Sequence, residues 1–222
     1  MATMQMQPAV QPVAATSEGT GAWKIVQGFR EGTMSTVDFK QRMIAAGYGF
    51  GASMGSVTTP LTFLVTAANR PDAWLRVPAT RMIIPTFVGV TLESMTGTVT
   101  EIDVRITQND IGNGTSTAAT VGPINLRGDS AGLGSGLVVP RQLATGDTTA
   151  ETNPLSVYRR TYIRADDAGS DWKGIEWAGN PAPFVGNQTN GGTLEVFIAA
   201  TTNQATGFVV MQWVETPMSW WV

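Results

Sequence analysis

The amino-acid sequence predicts an all-β fold: an antiparallel β-sandwich of jelly-roll-like arrangement, with an extended N-terminal arm and one short helix. From Thr59 onward, turn-forming residues divide the chain into short apolar runs, and several of these alternate with a period of two residues. Apolar spacing typical of helices is scarce. Many short strands with little helix favour two packed antiparallel sheets over an α/β arrangement.

The two parts of the predicted organisation differ in composition. Residues 1–22 are rich in Gln, Ala, Pro, Thr and Gly, and their few apolar residues are too widely spaced to form a buried face. Such a segment cannot bury enough apolar area to offset its backbone entropy, so we expect an extended arm. Residues 23–222 are long enough for one sizeable core and are predicted to form a single β-sandwich domain.

One helix is predicted, near residues 36 to 46. Ser35 and Asp38 match the capping pattern S-x-x-D, and a partial apolar stripe follows them. Gly47 supplies the stop signal, because glycine readily adopts the left-handed conformation that ends many helices.

The clearest single strand is Val99 to Ile106. Ile102, Val104 and Ile106 alternate with Glu101, Asp103 and Arg105, so the charged side chains are predicted to face water. The other candidate strands are short apolar runs, namely Leu61 to Val65, Trp74 to Val77, Met82 to Ile84 with Phe87 to Leu92, Tyr158 to Ile163, and Ile175 to Trp177.

The stretch from Thr193 to Pro217 is predicted to be a long β-hairpin around which the sandwich is organised. Its first run places Leu194, Val196 and Ile198 on one face, and its second run, Phe208 to Val214, is rich in β-branched and aromatic residues. By contrast, residues 107–151 are dominated by Gly, Ser, Thr, Asn and Asp and are predicted to form one or two elaborated loops.

The composition excludes several classes of function. Without Cys or His, the chain has no thiolate nucleophile, disulfide, histidine base or His/Cys zinc site. A net charge of −3 offers no basic surface for nucleic acid, and no apolar run approaches the roughly 18 residues of a membrane span. We therefore expect a non-enzymatic protein with no cofactor, no nucleic-acid partner and no membrane.

Three alternatives stay open at this level. Five carboxylates on or beside strands could pair for glycoside hydrolysis, namely Glu93, Glu101, Asp103, Glu195 and Glu215. Of these, Glu101 and Asp103 are predicted to be solvated and so poor acids. Trp74, Trp172, Trp177 and Trp213 could stack on sugars, although cores and interfaces use tryptophan more often. Asp166, Asp167 and Asp171 could bind a hard cation but lack the D-x-D-x-D-G spacing of a calcium loop.

Several phrases of the sequence resemble the jelly-roll decoration or cement proteins that coat the heads of tailed bacteriophages. These segments cover about half of the chain and occur in the expected order. They are patterns of strands and turns and not catalytic signatures. The segments are Thr58-Thr59-Pro60-Leu61, Leu75-Arg76-Val77-Pro78-Ala79 to Ile83-Ile84-Pro85, Asn180-Pro181-Ala182-Pro183, and Leu194-Glu195-Val196-Phe197 through Thr206-Gly207-Phe208 to Gln212-Trp213-Val214-Glu215.

The resemblance implies a viral structural protein that is made in the host cytoplasm and then bound to the outer surface of the virion head. The implied partner is the major capsid protein, and the implied oligomer is a homotrimer. Stabilisation of the shell would come from added binding area, with no catalytic residue. The alternative function is a carbohydrate-binding or receptor-binding module of a tail or spike.

The contacts with the shell and between protomers are predicted at the two ends of the chain. After Pro217, residues Trp220, Trp221 and Val222 would leave a large apolar surface in water, so we expect burial against a second protomer or folding back over their own sandwich. In the arm, docking in an extended form is predicted to use four residues: Pro8, Val10, Pro12 and Val13.

Overall fold

The computed structural model describes residues 27–28, 34–35, 39–63, 70–94, 99–127, 137–143, 148–163, 173–179, 182–200 and 204–221. The chain divides into two compact units, Met1–Arg42 and Met43–Val222. In the smaller unit, strand β1 (Gln27–Gly28) pairs antiparallel with β2 (Met34–Ser35). The predicted arm, residues 1–22, and its junction with the domain lie outside the described residues.

The predicted helix is present as α1, Phe39–Ala45. It ends as the sequence indicates: Gly47 has φ of 87°, the Gly47 N–H donates to the carbonyl of Ile44, and the Tyr48 N–H donates to the carbonyl of Met43, both at 2.9 Å. These two bonds satisfy the last carbonyls of the helix in the pattern that a left-handed glycine permits. Among the described helices, none has the length and apolarity needed to cross a membrane.

The described part of the larger unit consists mainly of strands. In chain order they are β3 Gly49–Met54, β4 Leu61–Thr62, β5 Ala73–Val77, β6 Arg81–Ser94, β7 Val99–Thr107, β8 Thr117–Ala118, β9 Val121–Asn125, β10 Val139–Gln142, β11 Leu155–Ile163, β12 Lys173–Trp177, β13 Gly192–Ala200 and β14 Thr206–Pro217.

These strands form two antiparallel sheets. The first sheet has the order β11-β7-β13-β5-β10-β8, and the second has the order β12-β6-β14-β3-β9, with β4 paired to β14. Taken without the short additions, the two sets β11-β7-β13-β5 and β12-β6-β14-β3 are the interleaved four-stranded sheets of an eight-strand jelly roll. The predicted all-β sandwich with one short helix is therefore confirmed.

The predicted hairpin between Thr193 and Pro217 is wrong, although both of its strands exist. β13 lies between β7 and β5 in the first sheet, whereas β14 lies between β6 and β3 in the second. The two strands therefore lie in different layers of the sandwich, which pack about 10 Å apart, and do not pair with each other. Alternation shows which side chains share a face, but it carries no information about which strand lies alongside.

The hydrophobic core lies between the two sheets. The first sheet contributes Leu194, Val196 and Ile198, as predicted, and the second contributes Trp213, whose ring stacks on Phe50 with centroids 6.2 Å apart. All of these side chains are buried. Because the tryptophan and the phenylalanine come from neighbouring strands, the stacking also ties β14 to β3.

Two strand predictions need correction. The stretch 107–151, predicted as loops, contains β8, β9 and β10, which extend the two sheets. These strands have two to five residues, and most of their side chains are exposed, so they carry no alternating pattern. The runs Met82 to Ile84 and Phe87 to Leu92 form the single strand β6, in which Pro85 lies opposite Trp213 beside a β-bulge.

Candidate functional site

The outer face of the first sheet is covered by its own loops. The Thr149 N–H donates to the carbonyl of Ile111 at 2.8 Å, and the Thr193 hydroxyl donates to the carbonyl of Asn109 at 2.8 Å. Underneath lies Trp74, fully buried against Ile111, with its indole N–H donating to the carbonyl of Gly112 at 3.2 Å. This second, smaller apolar cluster removes Trp74 from any sugar-stacking surface.

Asp103 is also buried, which corrects the prediction that it faces water. Its side chain accepts hydrogen bonds from Ser156, from Arg105 at 2.7 Å and from Arg159 at 2.8 Å. Burial by itself would raise the pKa of Asp103, but these donors outweigh it and hold the pKa below its ordinary value. Glu101 on the same strand keeps partial exposure and pairs with Arg159 at 3.0 Å.

Next to Asp103 lies a pair of carboxyl groups, Glu195 and Glu151. Glu195 is 0% exposed, and neither of its oxygens accepts a hydrogen bond from an N–H or hydroxyl group within the described chain. Burial, reinforced by the charge of Glu151, raises the pKa of Glu195 to about 9. Glu195 therefore holds a proton at neutral pH.

Arg105 completes the cluster. Its guanidinium lies 3.6 Å from Glu151 and 4.2 Å from the ring centroid of Phe197. A protonated carboxyl beside a carboxylate is reminiscent of a glycosidase, but there the two groups stand about 5 Å or more apart, with the substrate between them. Here Glu195 is fully buried, so the pair presents no open surface to a substrate.

A second region of the molecule carries an exposed aromatic cluster. β14 ends at Pro217, as predicted, and a 3₁₀-helical turn, Met218–Trp220, follows. Trp220 packs edge-on against Tyr48 with ring centroids 5.1 Å apart, and Trp221 packs edge-on against Phe184 at 4.8 Å. We call these four residues the C-terminal aromatic cluster.

Both tryptophans of this cluster remain about half in solvent. Trp220 is 51% exposed and Trp221 is 41% exposed, while the indole N–H of Trp221 donates to the Thr216 hydroxyl at 2.8 Å. Of the two predicted fates, folding back over the same sandwich therefore occurs in part. Burial against a second protomer stays a prediction.

A shallow open cleft of about 360 Å³ adjoins the cluster. Trp221 and Met218 line it together with residues of a turn at 186–190. Asn187 shapes the turn, because its side-chain oxygen accepts the backbone N–H of Thr189 at 2.8 Å. The lining is free of charged side chains and consists of Met82, Gly186, Asn187, Gln188, Thr189, Met218 and Trp221.

The cleft is held to the sandwich by backbone contacts. Val185 and Ile83 exchange N–H to carbonyl bonds in both directions, each 2.9 Å long. Gly186 follows in the left-handed region with φ of 145°, and a Cβ at this position would stand 2.7 Å from the carbonyl oxygen of Arg81. Glycine is needed here because the turn lies directly on the start of β6.

The structure brings only some of the predicted site residues together. Trp220 and Trp221 lie in the C-terminal aromatic cluster, whereas Val222, Pro8, Val10, Pro12 and Val13 lie outside the described residues. Among the tryptophans weighed for sugar stacking, Trp74 and Trp213 are buried, Trp177 is partly buried, and Trp172 is outside the described part. Sequence reasoning missed Tyr48 and Phe184, whose only signal is an aromatic side chain beside turn-forming residues.

The chain was compared with known protein families and with curated proteins. Neither a scan against protein-family models nor a search of curated proteins finds a match for this chain. Within the described ranges, no group of three or more Asp or Glu residues is arranged to hold a metal ion. The acidic turn containing Asp166, Asp167 and Asp171 lies outside those ranges.

Proposed function

We propose that this chain is a decoration or cement protein of a tailed-bacteriophage head, bound as a homotrimer to the outer surface of the major capsid shell and acting without catalysis. The observation that carries the proposal is the C-terminal aromatic cluster, which leaves two tryptophans about half exposed at one end of a jelly roll. Jelly rolls are a recurrent fold of viral capsid proteins and also of lectins. The sequence phrases given above resemble the first group.

The chemistry of the surface supports a protein that works in contact with partners. Only 14% of the residues are charged, and the exposed side chains include large apolar ones. Aromatic residues are enriched at protein interfaces because they bury a large area with few rotatable bonds. Of the two tryptophans, Trp220 is the more exposed and is not part of the cleft lining, so we assign the protein contact to Trp220.

The proposed mechanism is mechanical. A protein that binds across neighbouring capsid subunits adds binding free energy to the assembled shell and none to the dissociated subunits, so it shifts the assembly equilibrium toward the shell. The carboxyl pair fits a structural role, because Glu195 is fully buried and presents no open catalytic surface. Attachment to the head places the protein on the outside of the virion.

The experiment compares Trp220→Ala with Val57→Ala in rebinding to heads of the parent particle from which this protein has been stripped. Val57 is 74% exposed in the turn that follows β3, at the opposite end of that strand from Tyr48. We expect Trp220→Ala to weaken rebinding by about 2 kcal/mol or more, roughly thirtyfold, and Val57→Ala to rebind like the unmodified chain. Equal rebinding by both variants would contradict the assignment.

The oligomer and the arm are tested on the same samples. Light scattering of the full chain at micromolar concentration is expected to report a trimer, and a monomer would contradict that part of the proposal. A chain lacking residues 1–22 is expected to rebind more weakly, because the arm that includes Pro8, Val10, Pro12 and Val13 would no longer dock. Unchanged rebinding would remove the arm from the interface.

A carbohydrate-binding or receptor-binding module is the second candidate function. The observation that favours it is the uncharged cleft beside Trp221. A half-exposed indole offers an apolar face to a sugar ring, and the neighbouring amide and hydroxyl groups can form hydrogen bonds with sugar hydroxyls.

A further inference from the structure

Trp221 is held in one orientation while part of its ring stays in solvent. Its N–H is engaged by Thr216 and its edge is packed against Phe184, so neither the polar atom nor the ring plane needs to rearrange when a ligand arrives. A side chain that is already ordered loses little conformational entropy on binding. The exposed remainder of the indole is a preformed apolar surface at the side of the cleft.

The turn at 186–190 supplies polar groups to the same cleft. Gln188 and Thr189 are both exposed and line the cleft. No side-chain hydrogen bond occupies Gln188 within the described part of the chain, whereas Asn187 is engaged in shaping the turn. A carboxamide and a hydroxyl each offer a donor and an acceptor, which matches the two-way hydrogen bonding of sugar hydroxyls.

The lining also limits the charge and size of a ligand. Because no charged side chain lines the cleft, a carboxylate or phosphate would find no counter-charge there. A volume of about 360 Å³ lies at the lower end of the range of small-molecule sites, about 300 to 1,000 Å³. One or two sugar rings match that space better than a long polymer segment.

We infer that the cleft beside Trp221 binds a neutral saccharide, with one sugar ring on the exposed indole of Trp221 and its hydroxyls hydrogen-bonded by Gln188 and Thr189. The inference deepens the second candidate function and rests on it, and it does not depend on attachment to a capsid. An apolar peptide or a second copy of the chain is the rival occupant, but either would leave the amide and hydroxyl groups of the turn unpaired.

The test titrates the free full-length chain with neutral disaccharides: maltose, cellobiose, lactose and N,N′-diacetylchitobiose. Tryptophan fluorescence and calorimetry would follow binding up to about 20 mM sugar, since a shallow site of this kind is expected to bind in the range of about 1 mM. Saturable binding of at least one disaccharide is the expected result. Glucuronic acid and sialyllactose serve as charged comparisons and are expected to bind more weakly.

Three variants locate the site. Trp221→Ala is expected to weaken binding at least about tenfold. Gln188→Ala, at an exposed position in the turn, is expected to weaken it several-fold while leaving the fold intact. Trp220→Ala is the matched control, because it removes a neighbouring half-exposed indole that does not line the cleft, and it is expected to bind sugar like the unmodified chain.

Each remaining outcome overturns the inference. The absence of saturable binding for every neutral disaccharide removes the site, and binding that survives both Trp221→Ala and Gln188→Ala places it elsewhere. Preference for the charged sugars contradicts the neutral ligand class. If Trp221→Ala changes the oligomeric state but not sugar binding, the occupant is a second copy of the chain. Failure of head rebinding, measured separately with Trp220→Ala, leaves this result unaffected.

Discussion

Trp74 and Trp221 lie in two regions of the molecule that use the same kind of side chain for opposite purposes. Trp74 is on the outer face of the first sheet, where the loop that contains Ile111 covers it. Trp221 is at the end of the second sheet, where Phe184 packs against its ring and 41% of its surface stays exposed. A tryptophan outside the main core therefore stabilises the fold where a loop covers it and becomes a candidate binding residue where it stays exposed.

The electrostatics of the two regions differ in the same way. On the outer face of the first sheet, burial keeps Glu195 neutral, because its neighbour Glu151 is another carboxyl group. Asp103 stays ionised there, because three hydrogen-bond donors lower its pKa. At the aromatic end, the cleft lining carries no titratable side chain. Changes of pH are therefore expected to act on stability through the covered region and to leave the cleft itself unchanged.

The largest expected effect separates the two tryptophans by stability. Trp74→Ala should lower the free energy of unfolding by about 3 to 5 kcal/mol, because it empties a fully buried site and removes the hydrogen bond to Gly112. Trp220→Ala, at a half-exposed site, should lower it by less than about 1 kcal/mol. Urea denaturation of both variants measures the difference. Similar losses would mean that the cover does not distinguish the two regions.

A smaller effect is expected from the buried carboxyl pair and depends on pH. The pKa of Glu195 is raised from 4.5 to about 9 in the folded chain, so between these values the folded state holds a proton that the unfolded state has released. The stabilising contribution of Glu195 is therefore fully present below its unfolded pKa and is lost as pH rises toward about 9. Asp103 has a lowered pKa, and its contribution is lost only in acid, as pH falls below 3.8.

Glu195→Gln tests this dependence, because glutamine keeps the shape of the side chain but cannot ionise. The variant should match the unmodified chain within about 1 kcal/mol near pH 5 and exceed its stability by at least about 1 kcal/mol near pH 9. Urea denaturation at the two pH values gives the comparison. Parallel pH dependences of the two proteins would show that Glu195 is already ionised in the folded state.

The smallest expected effect concerns the hydrogen bond that orients Trp221. Trp221→Phe removes the donor to Thr216 but keeps an aromatic ring against Phe184, so the free energy of unfolding should fall by only about 0.5 to 1 kcal/mol. The thermal midpoint, with Trp220→Phe as the matched control, measures this loss. A loss equal in the two variants would assign it to ring size instead of to the hydrogen bond.

Much of the fold follows from local patterns. The helix ends where Gly47 was predicted to end it, β14 ends at Pro217, and Leu194, Val196 and Ile198 share a buried face as their alternation indicates. These features depend on backbone conformations and side-chain periods that a few neighbouring residues specify. Short exposed strands such as β8 and β9 have no such period, and the sequence pattern does not reveal them.

The site was less predictable than the fold. Trp220 and Trp221 stood out because two adjacent indoles after a strand-ending proline need a partner. Phe184, Gln188 and the cleft depend on a turn that reaches β6 through the pairing of Val185 with Ile83, a contact between segments about a hundred residues apart in the chain. The charged face of β7 was predicted to be solvated, since alternation identifies a face and says nothing about what later packs against it.

By itself, the sequence determined that this protein is a β-sandwich without thiol or imidazole chemistry, with a short helix that ends before Gly47 and an aromatic segment after Pro217. The capping pattern that starts at Ser35 was wrong as a helix start, because Ser35 belongs to β2 and the helix begins at Phe39. The tertiary structure alone decided which strands lie side by side, that β13 and β14 belong to different sheets, and which off-core side chains are covered. The physical reason is the range of the interactions. Turn conformations and side-chain periods are set by residues close together in the sequence. Strand partners and loop cover depend on the packing of distant segments, and the arrangement that buries the most apolar area is favoured.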